Sequence, residues 1–236
     1  MARFETTHWS LVLRARDSSE ETRAALESLC RIYRPPVLVY IRGRGHPPDA
    51  AEDLTQAFFA RFLELAWHAN ADPARGRFRA FLLVALKRFL INADIESRAQ
   101  KRGGGLHFES FSDESADIPH AAGSATTPEA AFERSWAISV LGAALARLRN
   151  EADEAGKRAW FDTLHEFLTE PPDEADYARA AAALNVRRNT LAVAVHRLRH
   201  RLRELVREEL KQTTAGREDL ESEMRDLRVA LGPALQ

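Results

Sequence analysis

The stretch DYARAAAALNVRRNTLAVAVHRLRH, residues 176–200, decides the fold. It has the make-up of a helix-turn-helix. Residues 177–184 form a first helix, with small Ala181 where a second helix crosses it. Asn185 takes the turn, because asparagine tolerates left-handed backbone better than other non-glycine residues. Val186, Leu191, Ala194 and Val195 then point to the core, and Arg187, Arg188, Asn189, Ala192, Val193, His196, Arg197 and His200 point outward. Such a helix enters the major groove N-terminus first, which sets Arg187, Arg188 and Asn189 against base edges. Arginine bonds bidentately to guanine and asparagine to adenine, each worth about 1–3 kcal/mol of discrimination. Arg197, Arg199, Arg201 and Arg203 lie further along, where phosphates pass. A plain Ala-rich packing hairpin is the competing reading. A metal on the His196-xxx-His200 pair is disfavoured by flanking arginines and the lack of a nearby carboxylate ligand.

Charge extends the reading outward. The full chain has 34 basic and 35 acidic side chains, a formal net charge of -1, yet the two signs are segregated. Residues 75–102 hold eight basic and two acidic residues, and residues 187–207 hold seven basic and one acidic. Acidic residues gather at 49–53, 109–117 and 208–226. Two basic segments with acidic or neutral stretches between them suggest two contacts with one polyanion.

Helical periodicity recurs along the rest, and strand signals are nearly absent. Leu54, Phe58, Phe62 and Leu65 make one stripe over about 50–66, and Phe78, Phe81, Leu82, Ala85, Leu86, Phe89 and Leu90 make a wide face on the next helix. An earlier helix over about 20–40 carries Leu26, Leu29, Ile32 and Tyr33, and Pro35-Pro36 is expected to break or kink it. Residues 103–127 lose the pattern and read as a flexible linker. Thr127-Pro128-Glu129 then reads as an N-cap, a first-turn proline and a first-turn acid. Trp136, Val140, Ala144, Leu145 and Leu148 follow, then Phe161, Leu164, Phe167 and Leu168, before Pro171-Pro172 ends that helix. Leu220, Met224, Leu227 and Leu231 form a last amphipathic piece. The expectation is all-α, with a helical bundle over 1–102, the linker 103–127, a second helical unit over 128–210 and an extension over 211–236.

Several classes fall away. The 236 residues contain one cysteine, so neither a disulfide framework nor a CxxC zinc site is available, and Cys30 reads as a buried small hydrophobe. No apolar run approaches a membrane span, and the first ten residues lack a signal-peptide core, so a cytoplasmic location with no membrane partner is expected. No Gly-rich phosphate loop, HExxH or nucleophile elbow is present, so no catalytic residue, cofactor or metal is assigned.

The order of parts resembles the extracytoplasmic-function (ECF) group of bacterial RNA polymerase sigma factors. PPDAAEDLTQAFFARFLE (47–64) resembles the region-two helix that docks on the clamp helices of the largest polymerase subunit. FRAFLLVALKRFLINADIESRAQKR (78–102) resembles the helix that melts the minus-10 element, and DYARAAAALNVRRNTLAVAVHRLRHRLRELV (176–206) resembles minus-35-reading region four. The opening FETTHWSLVL, the RGRGH and KRGGG elements and the tail EELKQTTAGREDLESEMRDLRVAL are similar to a subgroup often associated with Ser/Thr protein kinases.

The resemblance implies a transcription initiation factor whose partners are core RNA polymerase (the clamp helices and the flap of the second-largest subunit), promoter DNA and either a Ser/Thr kinase or an anti-sigma regulator. It assigns Asp49, Glu52, Asp53 and Gln56 to polymerase binding. The family's Asp-Ala-Glu-Asp motif appears as Ala50, Ala51, Glu52 and Asp53, one carboxylate short. Thr55, a turn from Ala51 and Glu52, is the candidate phosphosite that would restore the charge, taken as a surface residue. Minus-10 DNA falls to Arg79, Lys87, Arg88, Asn92, Arg98, Lys101 and Arg102, which offer a basic track for single strands. Phe78, Phe81 and Phe89 fit the buried stripe better than a stacking platform. Minus-35 DNA falls to Arg187, Arg188, Asn189, Thr190, His196, Arg197, Arg199 and Arg201. Ala192 and Ala194 stand where relatives often carry basic residues.

Three rivals remain at this level. A stand-alone helix-turn-helix regulator would not depend on polymerase, an adaptor would have lost its polymerase contacts, and an enzyme would need a catalytic constellation that the motifs do not supply.

Overall fold

Eight α-helices and one short 3-10 turn make up the computed structural model, which describes residues 20–65, 77–101, 127–214 and 217–232. The order is α1 (Glu20–Gly43), α2 (Pro48–Glu64), α3 (Phe78–Lys101), α4 (Pro128–Glu154), α5 (Arg158–Leu164), the 3-10 turn His165–Leu168, α6 (Glu174–Leu184), α7 (Arg188–Lys211) and α8 (Arg217–Leu231). No strand occurs among the described residues. The all-helical expectation holds.

The expected stripes are buried. Phe58 of α2 meets Phe89 of α3 edge-on at 5.6 Å, and Phe62 meets Phe78 edge-on at 6.3 Å. Tyr33 of α1 packs edge-on against Phe78 at 5.1 Å. Of the two outcomes expected at the double proline, a break does not occur: α1 runs on through Pro35 and Pro36. Two backbone donors are lost there, but Val37, Tyr40 and Ile41 on the same helix are wholly buried, and burial of such side chains is worth about 1.5–3 kcal/mol each. That outweighs the missing bonds.

Thr127 caps α4 as its sequence suggests, its hydroxyl accepting from the Ala130 N–H at 3.1 Å, with Pro128 in the first turn. At the other end the chain reverses through Gly156 at φ +66°, a left-handed residue that lets the Lys157 N–H reach back to the Ala152 carbonyl at 2.7 Å. Pro171 and Pro172 follow the 3-10 turn, as expected of helix terminators.

Packing crosses the expected domain boundary. Helix α4 lies along α1, where Tyr40 meets Phe132 edge-on, and one apolar core runs from Leu29 through Trp136 to Leu210 and Leu227. Helix α8 packs on α4 and α7, burying Leu220, Met224 and Leu227. A second, smaller core of Leu164, Phe167, Ala180, Leu191 and Val195 belongs to the α5–α7 corner. The linker expected at 103–127 lies outside the described residues except for Thr127, as do the quoted FETTHWSLVL and most of KRGGG.

Candidate nucleic-acid interface

The α6–α7 corner is built by local chemistry. Asp173 and Asp176 form a capping box: the Asp173 carboxylate accepts from the Asp176 N–H at 2.8 Å, and the Asp176 carboxylate accepts from the Asp173 N–H at 2.9 Å. That backbone bond holds the Asp176 carboxyl below its ordinary range. Asn185 ends α6 at φ 52°, ψ 49°, the left-handed turn its identity implied. The Val186 N–H closes the turn onto the Ala181 carbonyl at 3.0 Å. At the crossing, the buried alanine is Ala180, one position before the one expected, and Ala181 is half-buried beside it. Leu191 and Val195 anchor α7 from below.

The outward face of α7 is as the spacing predicts. Arg187, Arg188, Asn189, Thr190, Ala192, Val193, His196, Arg197 and His200 are all exposed. Arg187 and Arg197 have no ion pair among the described residues. Arg188 is steadied by Glu174 and lies 5.5 Å from the centre of the Tyr177 ring. His200 faces Glu204 at 3.5 Å. Beside this face runs an apolar groove of about 780 Å³, with Asn189, Thr190 and Arg197 on one wall and Leu148, Ala152 and Trp160 on the other.

Two residues expected to meet phosphates are placed differently. Arg199 is half-buried and donates to the Phe167 carbonyl at 2.6 and 2.9 Å and to the Glu170 carbonyl at 3.3 Å. It fastens α7 to the end of the 3-10 turn, whose last carbonyls lack helical partners. Arg201 spans Glu151, Glu204 and Glu208 at 2.7, 3.0 and 3.3 Å, so its charge is neutralised within the protein. Those bonds raise the Arg201 guanidinium and lower the Glu151 carboxyl.

The first basic segment is reorganised more strongly. Arg79 was expected on the open side of α3, but only 5% of its side chain is exposed. Its guanidinium lies 4.2 Å above the Trp136 ring and is surrounded by Glu133, Glu223 and Asp226. Arg77 joins the same group through Asp226, Glu223 and Ser222. The reason is tertiary: α4 and α8 converge on the N-terminal end of α3. Lys87 reaches Glu129 in the first turn of α4 at 2.9 Å, and Tyr40 donates to the same carboxylate at 3.3 Å. Arg88 and Asn92, one turn apart, are half-buried on a flank that also exposes Val84 and Ile95. The side chains of Arg98 and Lys101, and all of Arg102, lie outside the described residues. Phe78 and Phe89 are core, as read from the stripe.

On α2, Asp49, Asp53 and Gln56 are exposed and recur at four and three residues, giving one acidic and polar edge. Glu52 is half-buried and bonded to Arg34 at 2.6 Å. The surface position assumed for Thr55 is corrected: the residue is wholly buried, and its hydroxyl donates to the Ala51 carbonyl at 2.7 Å. Position 55 falls on the stripe with Phe58 and Phe62, which faces α1 and α3. A kinase could reach it only after α2 opens. Cys30 is half-buried rather than buried, and desolvation raises its thiol.

The chain matches no family model, no curated protein and no solved structure. No helix among the described residues is long and apolar enough to cross a membrane.

The Arg77–Arg79 cluster is what sequence reasoning missed. Its arginines lie 54 to 149 positions in the chain from their carboxylate partners, so no local pattern announces it. The one available signal was the run of carboxylates on the last amphipathic segment.

Proposed function

We propose that the chain is an ECF-type sigma factor. In this reading α1 to α3 form the unit that docks on core RNA polymerase and opens the minus-10 element, and residues 128–210 form the unit that reads the minus-35 element. The docking edge is Asp49, Asp53 and Gln56, with Glu52 set back against Arg34. The reading helix is α7, entering the major groove with Arg187, Arg188, Asn189 and Thr190, while His196 and Arg197 follow the groove. The flap of the second-largest polymerase subunit is the expected partner of the second unit.

The observation that carries the reading is the contrast along α7. Arg199 and Arg201 are absorbed by internal carbonyls and carboxylates, whereas Arg187 and Arg197 stay exposed on the face that a helix-turn-helix turns toward DNA. Arg187 and Arg197 are therefore free to meet phosphate or base groups, which the two internally bonded arginines are not. The acidic edge on α2 adds a polymerase contact that a stand-alone helix-turn-helix regulator does not need.

The decisive experiment mixes the purified chain with bacterial core RNA polymerase and measures holoenzyme formation and transcription from a two-part promoter library. The expected result is a stable complex and polymerase-dependent start sites. DNA binding that is independent of polymerase, with no complex formed, would overturn the reading in favour of the stand-alone regulator.

A further inference from the structure

Helix α8 holds five carboxylates against three arginines, and its charged side is not turned to water alone. Glu221 takes Arg207 at the end of the second basic segment at 2.7 Å. Glu223 and Asp226 take Arg77 and Arg79 at the start of the first. One short helix therefore touches both basic segments of the chain. Among the described residues, the partners of Arg77 are all on α8: Ser222, Glu223 and Asp226.

The cluster has an inner and an outer part. Inside, the Arg79 and Glu223 side chains are 5% and 4% exposed, 3.3 Å apart. Outside, the Arg77 and Asp226 side chains are 29% and 40% exposed, so a polyanion arriving from solvent can compete with Asp226 for Arg77. The inner part is imperfectly satisfied. Glu223, Asp226 and Glu133 share two guanidinium groups, and the buried Oε2 of Glu223 lies 3.3 Å from Arg79 Nε without making a hydrogen bond. A helix that served only as a permanent brace would gain from full satisfaction, since a buried carboxylate oxygen that makes no hydrogen bond favours undocking. The rest of the attachment is small: Leu220, Met224 and Leu227 are the buried apolar side chains of α8. A helix of 15 residues has little stability of its own once its anchors leave.

We propose that α8 is a removable carboxylate mask: Glu223 and Asp226 sit where nucleic-acid phosphates bind Arg77 and Arg79, and DNA must displace the helix to use those arginines. The proposal rests on the DNA-binding part of the reading above and adds its regulation. In the masked state α8 also ties α3 to α4 and α7, so one undocking event frees the guanidinium groups and removes that brace. Single-stranded nucleic acid suits the site, because a flexible backbone can bring phosphates to a recessed pair of arginines beside Trp136.

The test uses the full chain and a fluorescent 20-nucleotide single-stranded DNA at fixed moderate salt and about pH 8, where the Glu223 carboxyl, pushed up to about 7 by burial, carries its charge. Glu223→Gln/Asp226→Asn removes the competing charge with little change of shape, and it is expected to tighten DNA binding about tenfold, as two additional phosphate contacts would. Adding Arg77→Ala and Arg79→Ala should abolish that gain. Unchanged affinity, including no binding by either protein, or a gain that survives without the arginines, overturns the mask. In parallel, hydrogen exchange on the wild-type chain avoids any folding defect of the variants: saturating DNA should speed exchange in 217–231, and unchanged or slowed exchange there overturns the proposal. Core polymerase binding, measured on the same proteins, separates the two claims. A DNA gain without polymerase binding keeps the mask and removes the sigma reading; polymerase binding with neither a DNA gain nor faster exchange does the reverse.

Discussion

Protonation of Glu223 should make the stability of the protein fall as pH rises through neutrality. Its carboxyl is pushed up to about 7 by burial, against the partial relief given by Arg79 and Arg77, and Asp226 and Glu133 push the same way. The groups facing it are those guanidinium groups on α3, Glu133 on α4, Asp226 on its own helix and the buried Tyr33 hydroxyl on α1, whose own ionisation Glu223 opposes. The folded chain keeps the proton up to about pH 7, whereas the unfolded chain releases it near the ordinary glutamate value of 4.5. The resulting stabilisation is complete below the unfolded value and is lost as pH climbs through the folded one. A shift of this size corresponds to roughly 3 kcal/mol at full extent, of which about 1.3 kcal/mol disappears between about pH 6 and about pH 8. Asp226, where burial alone would raise the carboxyl but the hydrogen bonds and charges of Arg77 and Arg79 hold it low, titrates below that window and adds nothing to it. Urea unfolding of the wild type and of Glu223→Gln at both pH values is the assay. The wild type should lose about 1 kcal/mol more than the variant on going to the higher pH. Equal losses in the two proteins would refute the assignment, because Gln keeps the size of the side chain and cannot titrate.

Other expected outcomes follow from the α7 corner and from α2. Arg197→Ala should weaken duplex binding and flatten its salt dependence with little loss of stability, whereas Arg199→Ala should destabilise the fold by about 1–3 kcal/mol, since its carbonyl partners lose a charged donor; anisotropy titrations and urea melts on both variants separate these roles. Asn185→Ala places a β-carbon at φ 52° and should cost about 1–2 kcal/mol, while Asn185→Gly should be tolerated, as read by thermal unfolding. Thr55→Glu sets a charge in a wholly buried site and should cost several kcal/mol without strengthening polymerase docking; circular dichroism and a core-polymerase pulldown report the two effects, and a stable variant that docks more tightly would restore Thr55 as a surface phosphoacceptor.

Local patterns were legible wherever neighbours in sequence settle the structure. The 3.6-residue stripes of α2 and α3, the Thr127 cap, the proline terminators and the left-handed Asn185 all act within one or two turns, so residue identity alone carries them. The exposed face of α7 belongs to the same group, since anchoring Leu191 and Val195 leaves Arg187, Asn189 and Arg197 nowhere else to point. Pro35 and Pro36 show where this logic stops. Their local cost is visible in the sequence, but the burial of Val37, Tyr40 and Ile41 against later helices, which overcomes it, is not.

Charge was the least legible property. A sequence shows that an arginine is present and says little about which carboxylate reaches it, because ion pairs form between helices that the chain brings together late. Arg79, Arg199 and Arg201 look like Arg187 and Arg197 on paper, yet three-dimensional packing gives the first three internal partners and leaves the other two to solvent. The sequence alone therefore determined an all-helical chain with a helix-turn-helix and two basic segments, since periodicity and turn chemistry are local. Only the tertiary structure decided which of those basic groups remain open, because Coulomb attraction depends on distances that close across the fold.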